Sequence, residues 1–78
     1  MPPQDQVPPW RSDLHRQVGE RLRARRLWCN RTQESLAEQV SISLDTLQRI
    51  EAGRSDARIS HLADLASALD CEVRDLLP

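Results

Sequence analysis

Residues 32–53 read TQESLAEQVSISLDTLQRIEAG, and their pattern decides the fold. Thr32 is suited to cap the start of a helix, and Glu34 sits in a favourable first turn. Leu36, Ala37 and Val40 then form the inner face of a short helix over 33–40. Ser41 and Ile42 make a tight turn. Ser43 can cap a second short helix over 44–52, and Gly53 ends it, as Gly does where a chain leaves a helix in the left-handed region. Ala37 is small where the two helices must cross. Ile42, Leu47 and Ile50 give the second helix its inner side.

Upstream, Leu14, Val18 and Leu22 recur every four residues and predict a helix from about Asp13 to Trp28, with Ser12 as its cap. Arg25 falls near the centre of that stripe, where either its stem is expected to be buried with its head in water or Leu27 and Trp28 are expected to fill the space instead. Asn30 suits the end of this helix. Residues 1–11 hold four of the five prolines and read as a flexible arm. Downstream, Leu62, Leu65, Ala66 and Leu69 lie at i, i+3, i+4 and i+7 and mark a fourth helix over about 59–69, starting at Arg58 or Ser60. Val73, Leu76 and Leu77 fall on a short fifth helix over about 73–77. No segment alternates with period two, and there is no hairpin signal. The expected architecture is all-α: five short helices in one domain over 12–78, because 78 residues supply one modest core.

The pair over 32–53 has the spacing of a helix-turn-helix. With Leu44 at zero and a step of about 100° per residue, Leu47 and Ile50 point to about −60° and −120°. Asp45, Gln48 and Arg49 point to about +100°, +40° and +140°, away from that core side. Leu44 and Thr46 flank them. Arg can take guanine O6 and N7, Gln adenine N6 and N7, and Asp can accept from cytosine N4. An ordinary solvated polar face would look the same from its angles alone.

Composition narrows the classes. No apolar run reaches the roughly 18 residues of a membrane span, and no signal peptide opens the chain. The expected location is the cytoplasm. Cys29, Cys71, His15 and His61 have no metal-ligand spacing, so no metal or other cofactor is expected, and the thiols read as small apolar residues. No phosphate loop or nucleophile motif suggests an enzyme. The net charge of −1 is at odds with nucleic acid on its face, but its distribution is uneven. All 11 basic residues are Arg. Residues 11–31 carry seven of them against Asp13 and Glu20, whereas 59–78 carry Arg74 against Asp64, Asp70, Glu72 and Asp75.

The strings VGERLRARR, TQESLAEQV, ISLDTLQRIEAG and ISHLADLASALDCEVRDLL, over 18–77, resemble the phage repressor and Cro type of helix-turn-helix protein, the XRE family. The resemblance implies a lambda-repressor-like DNA-binding domain, a compact five-helix bundle that is usually dimeric on double-stranded DNA. It assigns base reading to Leu44, Asp45, Gln48 and Arg49. It places Gln33 on a DNA phosphate with Thr32 capping beside it, gives Ser43 and Thr46 phosphate or local contacts, and brings Arg54 and Arg58 to the backbone. It also implies an inward salt bridge between Arg26 and Glu51. Some positions depart from the family: Ser41 stands where Gly is usual, Ala57 where Pro is frequent, and Arg25 and Arg31 where apolar residues are usual. Asp45 brings a carboxylate near phosphates, so it should read cytosine or filter against other bases.

The expected function is therefore a sequence-specific transcriptional regulator, a homodimer on a palindromic operator and an autoregulator. Ending at Pro78, the chain is not expected to carry a ligand domain or bind a small molecule. Val73, Leu76 and Leu77 either form the dimer contact or close the core over the first helix. The alternative is a helical protein-interaction module that kept the fold and lost DNA binding, a reading that Asp45, Glu38 and Asp56 favour.

Overall fold

The computed structural model describes residues 8–78, so residues 1–7 of the expected arm lie outside the described residues. Helix α1 runs from Pro9 to Trp28 and begins four residues before Asp13. Ser12 is therefore not its cap, and residues 9–11 are helical rather than part of an arm. The reason is the proline pair. A proline in the first turn has no N–H to leave unpaired and already holds a helical φ, so Pro8 and Pro9 start the helix. Val18, Leu22 and then Arg26 are buried along one stripe.

Helix α2 spans Gln33–Val40 and α3 spans Leu44–Glu51. Thr32 Oγ1 accepts from the Ser35 N–H at 3.1 Å, and Ser43 Oγ accepts from the Thr46 N–H at 3.0 Å. Helix α4 covers Ile59–Ala68, with Arg58 before it and Ser60 inside it. The fifth segment is a correction. Val73–Leu76 forms one 3-10 turn, so the described residues hold four α-helices rather than five. The Glu72 N–H donates to Asp75 Oδ2 at 2.9 Å, which secures a single turn. No helix of the described residues is long and apolar enough to cross a membrane.

The four described helices end in the same way. Asn30, Ser41, Gly53 and Asp70 take positive φ values of 54°, 59°, 71° and 59°. The residue after each then bonds back into its helix: Arg31 to Arg26 O, Ile42 to Ala37 O, Arg54 to Arg49 O and Cys71 to Ala66 O, at 3.1, 3.0, 2.9 and 2.9 Å. This is the Schellman closure, and it turns the chain sharply enough for short helices to pack on each other. Ser41 bears a Cβ in a conformation where Gly bears none. Ser41→Gly should raise stability by about 1 kcal/mol, read by urea unfolding.

The core consists of Val18, Leu22, Leu36, Ala37, Leu47, Ile50, Leu62, Leu65, Ala66, Leu69 and Leu76. Helix α1 packs on α3, α2 on α3 and α4, and the 3-10 turn on α4 and α1. Leu76 is wholly buried, which removes it from the expected dimer contact, and Val73 packs against the core. Of those three residues only Leu77 is an exposed large hydrophobic side chain. Leu27 and Trp28 are also exposed and do not fill the space beside Arg25. Instead Arg25 reaches the end of α4, donating from Nε to Leu69 O and from Nη2 to Asp70 O, each at 3.0 Å. A guanidinium there satisfies carbonyls left unpaired by the helix and opposes its dipole. Cys29 and Cys71 are free and half-buried, and burial pushes the Cys71 thiol pKa up, consistent with small apolar side chains.

Candidate nucleic-acid interface

Helix α3 buries Leu47, Ile50 and Glu51 and presents Asp45, Gln48 and Arg49 to solvent. Leu44 and Thr46 are half-buried on its flanks. The outward angles read from the sequence thus coincide with the exposed positions.

Two of the exposed residues are already paired. Arg49 donates from Nε and Nη2 to Asp45 Oδ2, at 2.9 and 2.6 Å, one helical turn apart. Between exposed side chains such a pair adds little stability, about 0.3–0.5 kcal/mol. Its effect is geometric. The carboxylate holds the guanidinium against α3, and part of the Arg49 donor fork remains free.

Gln48 belongs to a different network. Its Nε2 donates to Gln33 Oε1 at 3.4 Å, and Gln33 Nε2 donates to Glu51 Oε1 at 3.2 Å. Glu51 also accepts from Arg26 through Nε at 2.8 Å and Nη2 at 3.0 Å. Arg26 Nη1 finally donates to Arg31 O at 2.8 Å, closing the end of α1. The structure thus brings Gln33, Gln48, Glu51 and Arg26 into one chain of bonds from the α3 surface to α1. The Gln33 link is not visible in the sequence, because it joins residues 18 apart that no local periodicity relates.

The remaining positions divide by occupation. Thr32 and Ser43 use their oxygens as caps, and Ser43 Oγ and Thr46 Oγ1 lie 2.7 Å apart. Arg54 and Arg58 are exposed in the loop after α3, and neither side chain makes an ion pair or hydrogen bond among the described residues. His15 Nε2 lies 3.5 Å from Asp56 Oδ1 and ties that loop to α1. Among the described residues no group of three or more His, Cys, Asp or Glu gathers as for a metal.

A family model described as helix-turn-helix matches residues 22–76. The chain is 40% identical over 57 residues to an uncharacterized transcriptional regulator in the ATPase CF(0) region of Rhodospirillum rubrum. That match covers 73% of this chain and 51% of the relative, so the chain spans about half of that relative's length. Among solved structures it is similar to the restriction-modification controller protein C.AhdI from Aeromonas hydrophila, with a TM-score of 0.78 and 30% identity over 81% of this chain and 96% of that one. It is similar as well to the clp gene regulator ClgR from Corynebacterium glutamicum, with a TM-score of 0.77 and 31% identity over 80% of this chain and 66% of the other.

Proposed function

Because the chain belongs to the XRE-type helix-turn-helix family, we propose that it is a transcriptional regulator that binds double-stranded DNA as a homodimer and reads a palindromic operator. The observation that carries this reading is the exposed face of α3, where Asp45, Gln48 and Arg49 stand on a helix whose other side is locked in the core.

In the proposed complex α3 lies in the major groove. Arg49 takes the O6 and N7 of guanine, Gln48 takes adenine N6 and N7, and Asp45 accepts from cytosine N4. Leu44 touches a thymine methyl from the flank. Gln33 donates to a phosphate at the start of α2, where unpaired N–H groups and the helix dipole favour an anion. Arg54 and Arg58 are unengaged within the described residues and supply backbone contacts, with Thr32, Ser43 and Thr46 at the helix starts beside them. The network through Gln33 and Glu51 holds Gln48 in register, so a base reader is placed before DNA arrives.

The acidic residues shape affinity more than they oppose it. Asp45 neutralises part of Arg49 in the free protein, so weak binding to arbitrary DNA gains little from this helix. A matching base pair gives both groups partners at once. Specificity then arises as much from penalising wrong bases as from rewarding the right one. Control of the protein's own gene is a further expectation of the same reading.

Selection of bound sequences from random duplexes tests the proposal. A two-fold motif with half-sites about one helical turn apart should emerge. Arg49→Ala should cost about 1–3 kcal/mol on the selected site and relax one base position. Arg54→Ala should weaken all sequences alike and lower the salt slope by about 1. A wild-type pool with no enriched motif and no salt dependence would leave the interaction-module reading in its place.

A further inference from the structure

We infer that Cys29 and Cys71 form an oxidant-responsive pair that closes into a reversible disulfide between the end of α1 and the turn after α4. They are the only cysteines of the chain, both are free, and both pack half-buried against the core. Their neighbours fix where they lie. Cys29 follows Arg25 by four residues, so the two share one face at the end of α1. Arg25 Nε and Cys29 Sγ donate to the same acceptor, Leu69 O, at 3.0 and 3.5 Å. Arg25 Nη2 donates at 3.0 Å to the next carbonyl, Asp70 O, in the peptide that leads into Cys71. Asp70 has a φ of 59°, and the Cys71 N–H donates back to Ala66 O at 2.9 Å. The chain therefore doubles back and keeps Cys71 beside these contacts. Arg25, Asp75 and the Cys29 thiol accordingly all act on the Cys71 thiol.

A disulfide needs Cα atoms about 4.4–6.8 Å apart. With the Cys29 sulfur already against Leu69 O, side-chain rotation is the movement that joins the two sulfurs, and no helix has to shift. Cys71 also lines an open hollow with Ala63, Ser67 and Val73, through which a small oxidant reaches it. With a peroxide the reaction balances. The Cys71 sulfur, as thiolate, attacks one peroxide oxygen; the O–O bond breaks, water or an alcohol leaves, and a sulfenic acid remains. The Cys29 sulfur then attacks that sulfur, forms the S–S bond and expels water. The two thiols have given up two electrons and two protons, and the peroxide has taken them up. Burial raises the Cys71 thiol pKa against the opposing pull of Arg25, which keeps the thiol protonated and the pair reduced until oxidant accumulates. The bridge closes α2, α3 and α4 into one covalent loop. Such a loop restricts the unfolded chain, so oxidation stabilises the domain.

Hydrogen peroxide treatment of the folded full chain tests it, read by thiol counting, non-reducing peptide mass mapping and urea unfolding. Treated wild type should lose both reactive thiols and yield a Cys29–Cys71 linked peptide within a single chain, and a dithiol reductant should restore both thiols. Its folding equilibrium should shift toward the folded state by at least about 30-fold, the lower end of what a native bridge contributes. Cys29→Ser and Cys71→Ser should gain no stability on treatment, whatever their own starting stability. The bridge should also form more slowly in unfolding concentrations of urea, because the fold holds the thiols together. Thiols that survive peroxide in the folded protein overturn the inference, as do sulfinic acids in place of the linked peptide or bridges only between chains. A Cys29–Cys71 bridge that lowers the unfolding midpoint, or that forms faster in urea, overturns it as well.

Discussion

Glu51→Ala is expected to cost the domain about 3–5 kcal/mol of stability. Both side chains of the Arg26–Glu51 pair are almost fully enclosed, at 9% and 3% exposure, so removing the carboxylate strands a guanidinium away from water. Arg26 would lose two of its three hydrogen bonds, and Gln33 would lose its bond to Glu51 Oε1. For 78 residues at about 0.05–0.15 kcal/mol each, total stability is about 4–12 kcal/mol, so the loss is a large fraction of it. Urea unfolding of Glu51→Ala, Arg26→Met and the double variant gives the test. Each single change strands the other buried charge, and the double change removes both. The double variant should therefore be more stable than Glu51→Ala alone, and the coupling should exceed about 1 kcal/mol. Additive losses would mean that the two charges do not depend on each other.

The same pair bears on recognition. Gln48 is held by Gln33, and Gln33 by Glu51. A double variant that keeps its stability should still lose part of its preference at the base that Gln48 is proposed to read.

Much of this arrangement was legible in the sequence, and the exceptions have physical causes. Helices α2 and α3 could be read because capping is local. Thr32 and Ser43 each need only a donor three residues on, and both find it. The stripe of α4 was equally plain, since Leu62, Leu65, Ala66 and Leu69 share one face. The start of α1 was not, because Pro8 and Pro9 can either break a helix or open one, and their own side chains do not decide which. Asp70 takes the same left-handed closure as Gly53, but Asp enters that region less readily than Gly and so signals it only weakly. Arg25 resembled a misplaced charge on an apolar stripe, and its partners are carbonyls of residues 44 and 45 positions away. On the α3 surface, angle alone gave Asp45, Gln48 and Arg49. The bond from Arg49 to Asp45 accords with their spacing of four, whereas the Gln33 link depends on how α2 crosses α3.

Gly19→Ala is expected to destabilise the domain by about 3 kcal/mol, the upper part of the range for overpacking. Considered as a helix residue alone, Gly19 is a liability: Ala in its place would favour α1 by about 1 kcal/mol. The tertiary contact reverses the sign. A Cβ on Gly19 would stand 2.4 Å from Ile50 O and 2.6 Å from Glu51 O, inside the closest approach that such atoms tolerate. Those carbonyls are backbone at the end of α3, so no side chain can swing aside to make room. The second glycine of the chain meets the same crossing from the other side. A Cβ on Gly53 would lie 2.8 Å from Arg16 Cα, and its φ of 71° adds strain. The two glycines together let α1 lie directly against the end of α3. Separating these elements would draw Glu51 from Arg26 and tilt Asp45, Gln48 and Arg49 away from their register. Unfolding midpoints of Gly19→Ala and Gly53→Ala should both fall, and the remaining folded Gly19→Ala protein should bind the selected duplex with reduced preference over random sequence. A rise of about 1 kcal/mol for Gly19→Ala would mean that helix propensity outweighs the crossing and that α1 and α3 are not in this contact.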